Sequence, residues 1–315
     1  MHRNPPTPIL QDNGTTNFFV RQYGGPRTVY WLGALMRAVY CVAPAVSINI
    51  ALRLFTKPRL RVPQPMCVRS SSGWQPIEIP FEGHTIEVLR HEGTDERPKV
   101  LLAHGWGGSA EQMLLIAELL IAAGFRPYVI SFPAHGRSGG SRTNIAQFSR
   151  ALFALQAWHG RFCGMIAHSA GALAAAHAIT RGFAADRLVL IAPPVSPPKV
   201  VDIVGAAFKL PEIWNRLLID RMNRKGGTDL SEFEIEHMAP RLFQPTLIIH
   251  DEGDRVAPAS NSRSMASLLP NGRLHTTEGL GHQRILQDKE VGSLIVEHIS
   301  MPISACISPI SEMII

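Results

Sequence analysis

The sequence predicts an α/β fold, a mostly parallel central sheet flanked by helices, with a helical cap inserted after the sixth strand. Three observations predict it. From residue 77 onward, short apolar runs bounded by turn residues alternate with stretches of helical periodicity. The alternation breaks between Pro193 and Pro245, where only helical patterns occur. The chain has 315 residues, 45% hydrophobic and 18% charged, enough for one large ordered core plus an insertion.

The elements follow in order. Residues 1–27 are rich in Pro, Gly and Asn and read as a poorly ordered leader. Residues 28–76 form a basic, apolar extension and connector. The apolar stretch 29–55 is interrupted by Arg37, Pro44, Asn49 and Arg53, which argues against a spanning helix. It reads as one or two helices laid on the body, or as a segment resting on an anionic membrane surface. Alternation at Val46, Ile48, Ile50, Leu52 and Leu54 also permits a strand. Residues 77–80 and 85–90 read as two strands joined by a turn at Glu82-Gly83, and 100–103 as a short buried strand. Residues 110–123 read as a helix with Ser109 as N-cap, Gln112 three residues on and Gly124 as stop. Strand 128–132 follows, then helix 145–158 capped by Thr143 or Asn144, strand 162–166, helix 172–178 and strand 187–192. The cap, 193–244, holds helical patterns at 200–210, 213–222 and 230–238, with a hinge at Gly226-Gly227. Strands 246–250 and 274–278 and a closing helix 291–299 complete a core of 77–192 and 245–300, leaving 301–315 as a tail. Such a cap would lie over the carboxyl ends of the strands, where open α/β sheets bind ligands.

Charge is unevenly placed. The net charge is +6, but residues 1–70 hold nine Lys/Arg against Asp12 alone, so the basic character belongs to the extension. No motif of a nucleic-acid fold accompanies it, and a nucleic-acid partner is not expected. The four cysteines, Cys41, Cys67, Cys163 and Cys306, lie far apart without metal-ligand spacing, which makes a reducing, cytoplasmic setting the default. The long polar lead argues against a secretory signal.

Ala167-His168-Ser169-Ala170-Gly171 carries most of the chemistry. A serine between a strand and a helix, flanked by near-absent side chains, meets the steric demands of a nucleophile elbow. A helix-capping serine is the structural alternative. His104-Gly105-Trp106-Gly107-Gly108-Ser109 follows a strand, and its glycines let amides turn toward a developing oxyanion, with Trp106 and Ala170 as the donors. In His250-Asp251-Glu252-Gly253-Asp254, Asp254 is the choice for orienting a histidine, with Asp251 and Glu252 as competitors nearer the strand. In Glu278-Gly279-Leu280-Gly281-His282, His282 is the general base, whereas His275 lies within the strand pattern.

These signals fall in the order nucleophile, acid, histidine, each after a predicted strand. In that order, and in Pro133-Ala134-His135-Gly136-Arg137-Ser138, the chain resembles the α/β-hydrolase superfamily over roughly residues 77–300. The likeness is to bacterial serine hydrolases with a basic N-terminal helical extension. Ala134 and Ala167 stand where the family usually has glycine. The resemblance implies a serine hydrolase cleaving a carboxylic ester through Ser169, His282 and Asp254 and an acyl-enzyme, with no metal or organic cofactor. Thioester hydrolysis or acyl transfer on the same triad, and a non-catalytic binding protein on the same fold, are the alternatives. A small ester or acyl compound is the expected partner, with peripheral membrane contact through residues 28–61. Trp106, His168, Phe208 and Trp214 are the candidate substrate contacts; most apolar cap residues are expected to be packing faces.

Overall fold

The computed structural model describes Val20 and residues 24–58 and 73–302. Most of the expected leader, the middle of the connector and nearly all of the tail lie outside these residues; Pro26 and Arg27, expected in the leader, belong to the first helix. The chain opens on two helices, α1 (Pro26–Val42) and α2 (Pro44–Phe55), each started by a proline at its first turn, where the missing N–H costs nothing. The strand permitted at 46–54 is therefore a helix. Its alternation arises because α2 is apolar on two faces, with Ile48 and Ala51 buried and Val46, Ile50 and Leu54 exposed.

The sheet has eight strands in the order β1 (Trp74–Phe81), β2 (His84–His91), β4 (Arg126–Ile130), β3 (Lys99–Ala103), β5 (Phe162–His168), β6 (Ala185–Ile191), β7 (Thr246–Asp251) and β8 (Gly272–Thr277). β2 runs antiparallel to both of its neighbours, β1 and β4; β3 to β8 are parallel. β4 ends two residues earlier than predicted because the parallel register pairs Lys99 with Arg126 and Ala103 with Ile130. The alternation of strand side chains builds a core on each face. Leu101, Ala103 and Met165 pack one way, against α4 (Ile145–His159) and α5 (Ala170–Thr180). Val100, Leu102 and Ile166 pack the other way, against α3 (Leu114–Ala122) and a late helix (Lys289–Ser300).

Local capping differs in detail from expectation. Asn144 caps α4, accepting the Gln147 N–H at 2.9 Å. Ser109 caps nothing with its side chain; the chain first makes a 3-10 turn (Ala110–Met113), and the Ala110 N–H goes to Ser131 Oγ. Between β6 and β7 lie α6 (Pro197–Ala207), α7 (Glu212–Gly226) and α8 (Ile235–Met238). Gly226 belongs to α7, and Gly227 alone makes the left-handed turn that ends it. Helix α9 (Ala259–Leu268), composed of small and polar residues, was not expected. It is followed by α10 (Gly281–Arg284) and by the late helix, α11.

The N-terminal helices dock on this insertion. Val29, Met36, Ile48 and Ala51 share a cluster with Val201, Val204, Phe208, Trp214 and Leu218. A Cβ on Gly33 would come within 2.8 Å of the Phe208 carbonyl oxygen, so glycine is what lets α1 approach so closely. Arg37 donates to that carbonyl, and the buried Trp214 indole donates to Ser47 Oγ at 3.0 Å.

Candidate active site

Ser169 occupies the single-residue turn between β5 and α5, with φ 54° and ψ −125°, a conformation that costs a side-chain-bearing residue on the order of 1–3 kcal/mol. The strain is held by its surroundings: its N–H donates to the Ile191 carbonyl at 2.8 Å. The two departures from glycine are tolerated differently. Ala167 is an extended residue of β5 and needs no special backbone, whereas Ala134 sits at φ 60°. The glycine that remains is the irreplaceable one. A Cβ on Gly171 would strike the His104 carbonyl oxygen, a backbone atom with little room to move. Gly171→Ala is therefore expected to cost about 1–3 kcal/mol of stability, as overpacking does; an unchanged denaturant midpoint would contradict the close approach.

The three widely separated loops meet. His282 Nε2 lies 2.9 Å from Ser169 Oγ, and its Nδ1 lies 2.6 Å from Asp254 Oδ2. The Asp254 carboxylate is fully enclosed, and its other oxygen accepts the Val256 and Ala257 N–H groups at 2.7 and 3.1 Å. Burial alone would push its pKa up, but hydrogen bonds from His250 and His282 and the backbone outweigh that and hold it well below the usual carboxylate range. Asp251 does other work. It accepts Gly253 N–H, Thr277 hydroxyl and Leu280 N–H, tying down the loop that presents His282. Glu252 pairs with Arg263 at the surface.

His250 went unassigned in the sequence. Its Nε2 lies 3.1 Å from the Ala257 carbonyl and 3.4 Å from Asp254 Oδ2, and its Nδ1 takes the Ser262 hydroxyl at 2.6 Å. The signal was its place four residues before Asp254, but its partner Ser262 lies on the unexpected α9.

The loop after β3 is braced by histidines that must be neutral to accept protons. Gly107 N–H donates to His135 Nε2 at 2.9 Å, and Phe132 N–H donates to His104 Nε2 at 3.0 Å. His135 takes the Gly107 amide, and Trp106 and Ala170 both line the cavity. Burial pushes His104 down to about 3 and His135 to about 4; burial also pushes His298, on α11, to about 4. The unfolded chain protonates these groups near pH 6.5, the folded one only lower. Their contribution is thus fully present above pH 6.5 and is lost as pH falls toward 4. Each should remove about 1 kcal/mol or more between pH 7 and pH 5. Denaturant titrations at the two pH values check this, and equal midpoints would contradict it.

Ser169 opens on a cavity of about 990 Å³. Its walls come from the sheet loops (Gly105, Trp106, His168, His282), from α5 and the insertion (Leu173, Val200, Met222), and from the C-terminal end of α2 (Arg53 to Pro58). Trp106 and His168 both line the cavity. His168 is buried and held by its Nε2 against the His282 carbonyl at 2.9 Å, with burial first and His282 second lowering its pKa well below the ordinary value. Phe208 and Trp214 are a correction: neither lines the cavity, and both instead fasten the insertion to α1 and α2. The wall contributed by α2 was not foreseen; its docking on α7 joins segments far apart in the chain.

Comparison with known proteins agrees with this architecture. The family model described as serine aminopeptidase, S33 (Hydrolase_4) matches residues 94–237. A monoacylglycerol lipase of Mycolicibacterium smegmatis is 24% identical, covering 65% of this chain and 90% of the relative. An esterase of Pyrococcus furiosus superposes with TM-score 0.59 at 22% identity, covering 77% of this chain and 98% of that one. A bacterial membrane phospholipase A superposes with TM-score 0.57 at 17% identity, covering 85% and 95%. The structural likenesses establish a shared fold.

Proposed function

We propose that this member of the α/β-hydrolase superfamily is a serine hydrolase that cleaves carboxylic esters, with Ser169 as nucleophile, His282 as general base and acid, and Asp254 as its orienting carboxylate. The observation that carries the reading is the unbroken chain from Asp254 through His282 to Ser169, ending in a largely apolar cavity. Ser169 Oγ attacks the ester carbonyl carbon as its proton passes to His282 Nε2. The Asp254 carboxylate holds Nδ1–H and stabilises the imidazolium. The Trp106 and Ala170 amides take the developing oxyanion, each worth about 3–4 kcal/mol in comparable sites. His282 then protonates the departing alcohol. Water, deprotonated by His282, attacks the acyl-enzyme, and Ser169 leaves with that proton. The monoacylglycerol lipase and esterase relatives support ester over thioester or acyl-transfer chemistry. A fluorophosphonate probe tests the reading: it should add covalently at Ser169, located by peptide mass, and block hydrolysis of 4-nitrophenyl octanoate. Absence of both labelling and turnover would remove it.

A second reading, peripheral membrane contact, is favoured by the outer face of α1 and α2. Trp31, Leu35, Val42, Val46 and Ile50 are exposed there, opposite the face packed on the insertion. Between residues 24 and 58 the charges are Arg27, Arg37, Arg53 and Lys57, with no acid, which suits an anionic bilayer. Among the described residues no helix is long and apolar enough to cross a membrane, so the contact is interfacial. The expected contact region extends to residue 61, and its last three residues lie outside the described ones. Trp31→Asp with Val46→Asp should lower partitioning onto phosphatidylglycerol vesicles by about tenfold or more, each large side chain being worth about 1.5–3 kcal/mol on burial. Equal sedimentation with vesicles would rule the face out.

A further inference from the structure

The cavity walls divide by chemistry. Toward α5, α6 and α7 they are apolar, with Leu173, Val200 and Met222. At the other side, the end of α2 and the approach to α4 contribute Arg53, Lys57 and Arg142, all exposed at the rim. Among the described residues that line the cavity, none is Asp or Glu. No ion pair joins any of the three cations to a described carboxylate; the one fixed contact is a hydrogen bond from Arg142 Nη1 to the Arg53 carbonyl, 2.6 Å. That bond ties the loop before α4 to the last turn of α2, so the cluster is assembled from two segments 89 residues apart. Three cations that no described carboxylate pairs with, beside an apolar chamber, raise the local potential for anions and disfavour cationic ligands. Arginine is suited to the planar, bidentate recognition of oxyanions.

We infer that the substrate is an amphiphilic ester: an apolar chain lies toward Leu173, Val200 and Met222, and an anionic oxyacid group, such as a phosphate monoester, meets Arg53, Lys57 and Arg142. The inference rests on the serine-hydrolase reading for its ester bond, but the anion site itself is independent of turnover. The group could belong to a lipid headgroup or to a soluble phosphorylated ester, and both present the same oxygens to the rim.

Binding tests the site without catalysis. Titration calorimetry with octyl phosphate should give at least tenfold tighter binding than with uncharged 1-O-octylglycerol. Arg53→Gln/Lys57→Gln/Arg142→Gln should lose that difference, and Arg142→Gln alone should lose part of it. Removing a remote charge by Arg97→Gln should leave it within twofold. Equal binding of the two amphiphiles by the native chain, or a preference that survives the triple substitution, would overturn the inference. Turnover then links the site to the reaction. For 1-octanoylglycerol 3-phosphate over 1-octanoylglycerol, the kcat/KM ratio should exceed 10 and fall at least tenfold in the triple variant; a ratio below 1 would overturn the inference. Octyl phosphate binding without labelling or cleavage of any ester would instead defeat the hydrolase reading and leave the anion site standing. Cleavage of the octanoyl ester of 1-octanoylglycerol 3-phosphate as free monomers assigns the site to soluble substrates, and cleavage only in phosphatidylcholine vesicles assigns it to a lipid headgroup; either result supports anion recognition.

Discussion

Ser169→Ala should lower kcat for 4-nitrophenyl octanoate by about 10⁶-fold, the size of loss seen when a triad nucleophile is removed. The fold should survive, because the Ser169 hydroxyl makes one bond in the structure, to His282 Nε2, while the turn is held by its backbone N–H to Ile191. Thermal midpoints of the variant and the native chain should therefore agree closely, and octyl phosphate should still bind. A variant that folds and retains more than about a hundredth of native turnover would take Ser169 out of the mechanism.

Asp254→Asn should lower kcat by about 10⁴-fold at neutral pH. The amide presents an N–H where His282 Nδ1–H needs an acceptor, favouring the tautomer whose Nε2 carries the proton and cannot receive one from Ser169. The enclosed carboxylate has a second role: its oxygens collect the Val256 and Ala257 amides as well as His282. Asp254→Asn should thus also lower stability, and kinetics must be taken on the folded fraction. Asp251→Asn is the discriminating comparison. Asp251 touches the loop bearing His282 through Thr277 and Leu280 and not His282 itself. It should lose stability by about 1–3 kcal/mol while keeping far more of its turnover per folded molecule than Asp254→Asn. The reverse ranking in kcat would identify Asp251 as the orienting group.

Much of the sheet and site was legible because it is written locally. Most strands of the parallel set are short apolar runs, and Ser169 and Asp254 each follow one, whereas His282 follows the polar edge strand β8 and is marked instead by the glycines at 279 and 281. What was missed depends on contacts between distant segments. Phe208 and Trp214 look like pocket residues in an apolar helix, but Val29, Met36 and Ser47, more than 160 positions earlier, claim them. The cavity wall at Arg53 and Lys57 is invisible for the same reason. The Val46–Leu54 alternation misleads because a helix apolar on two faces shares features with a strand. His250 reads as a strand end until Ser262 and Asp254 are seen on either side of its ring.

Ser47 and Trp214 are 167 residues apart, and a ribosome adding about 5–20 residues per second needs about 10–30 s to pass from one to the other. Throughout that interval the hairpin of α1 and α2 has been made without the helix it will pack on, and it is apolar on both sides. Until the insertion emerges, the apolar side chains on both faces of that hairpin have no partner within the chain to shield them from water.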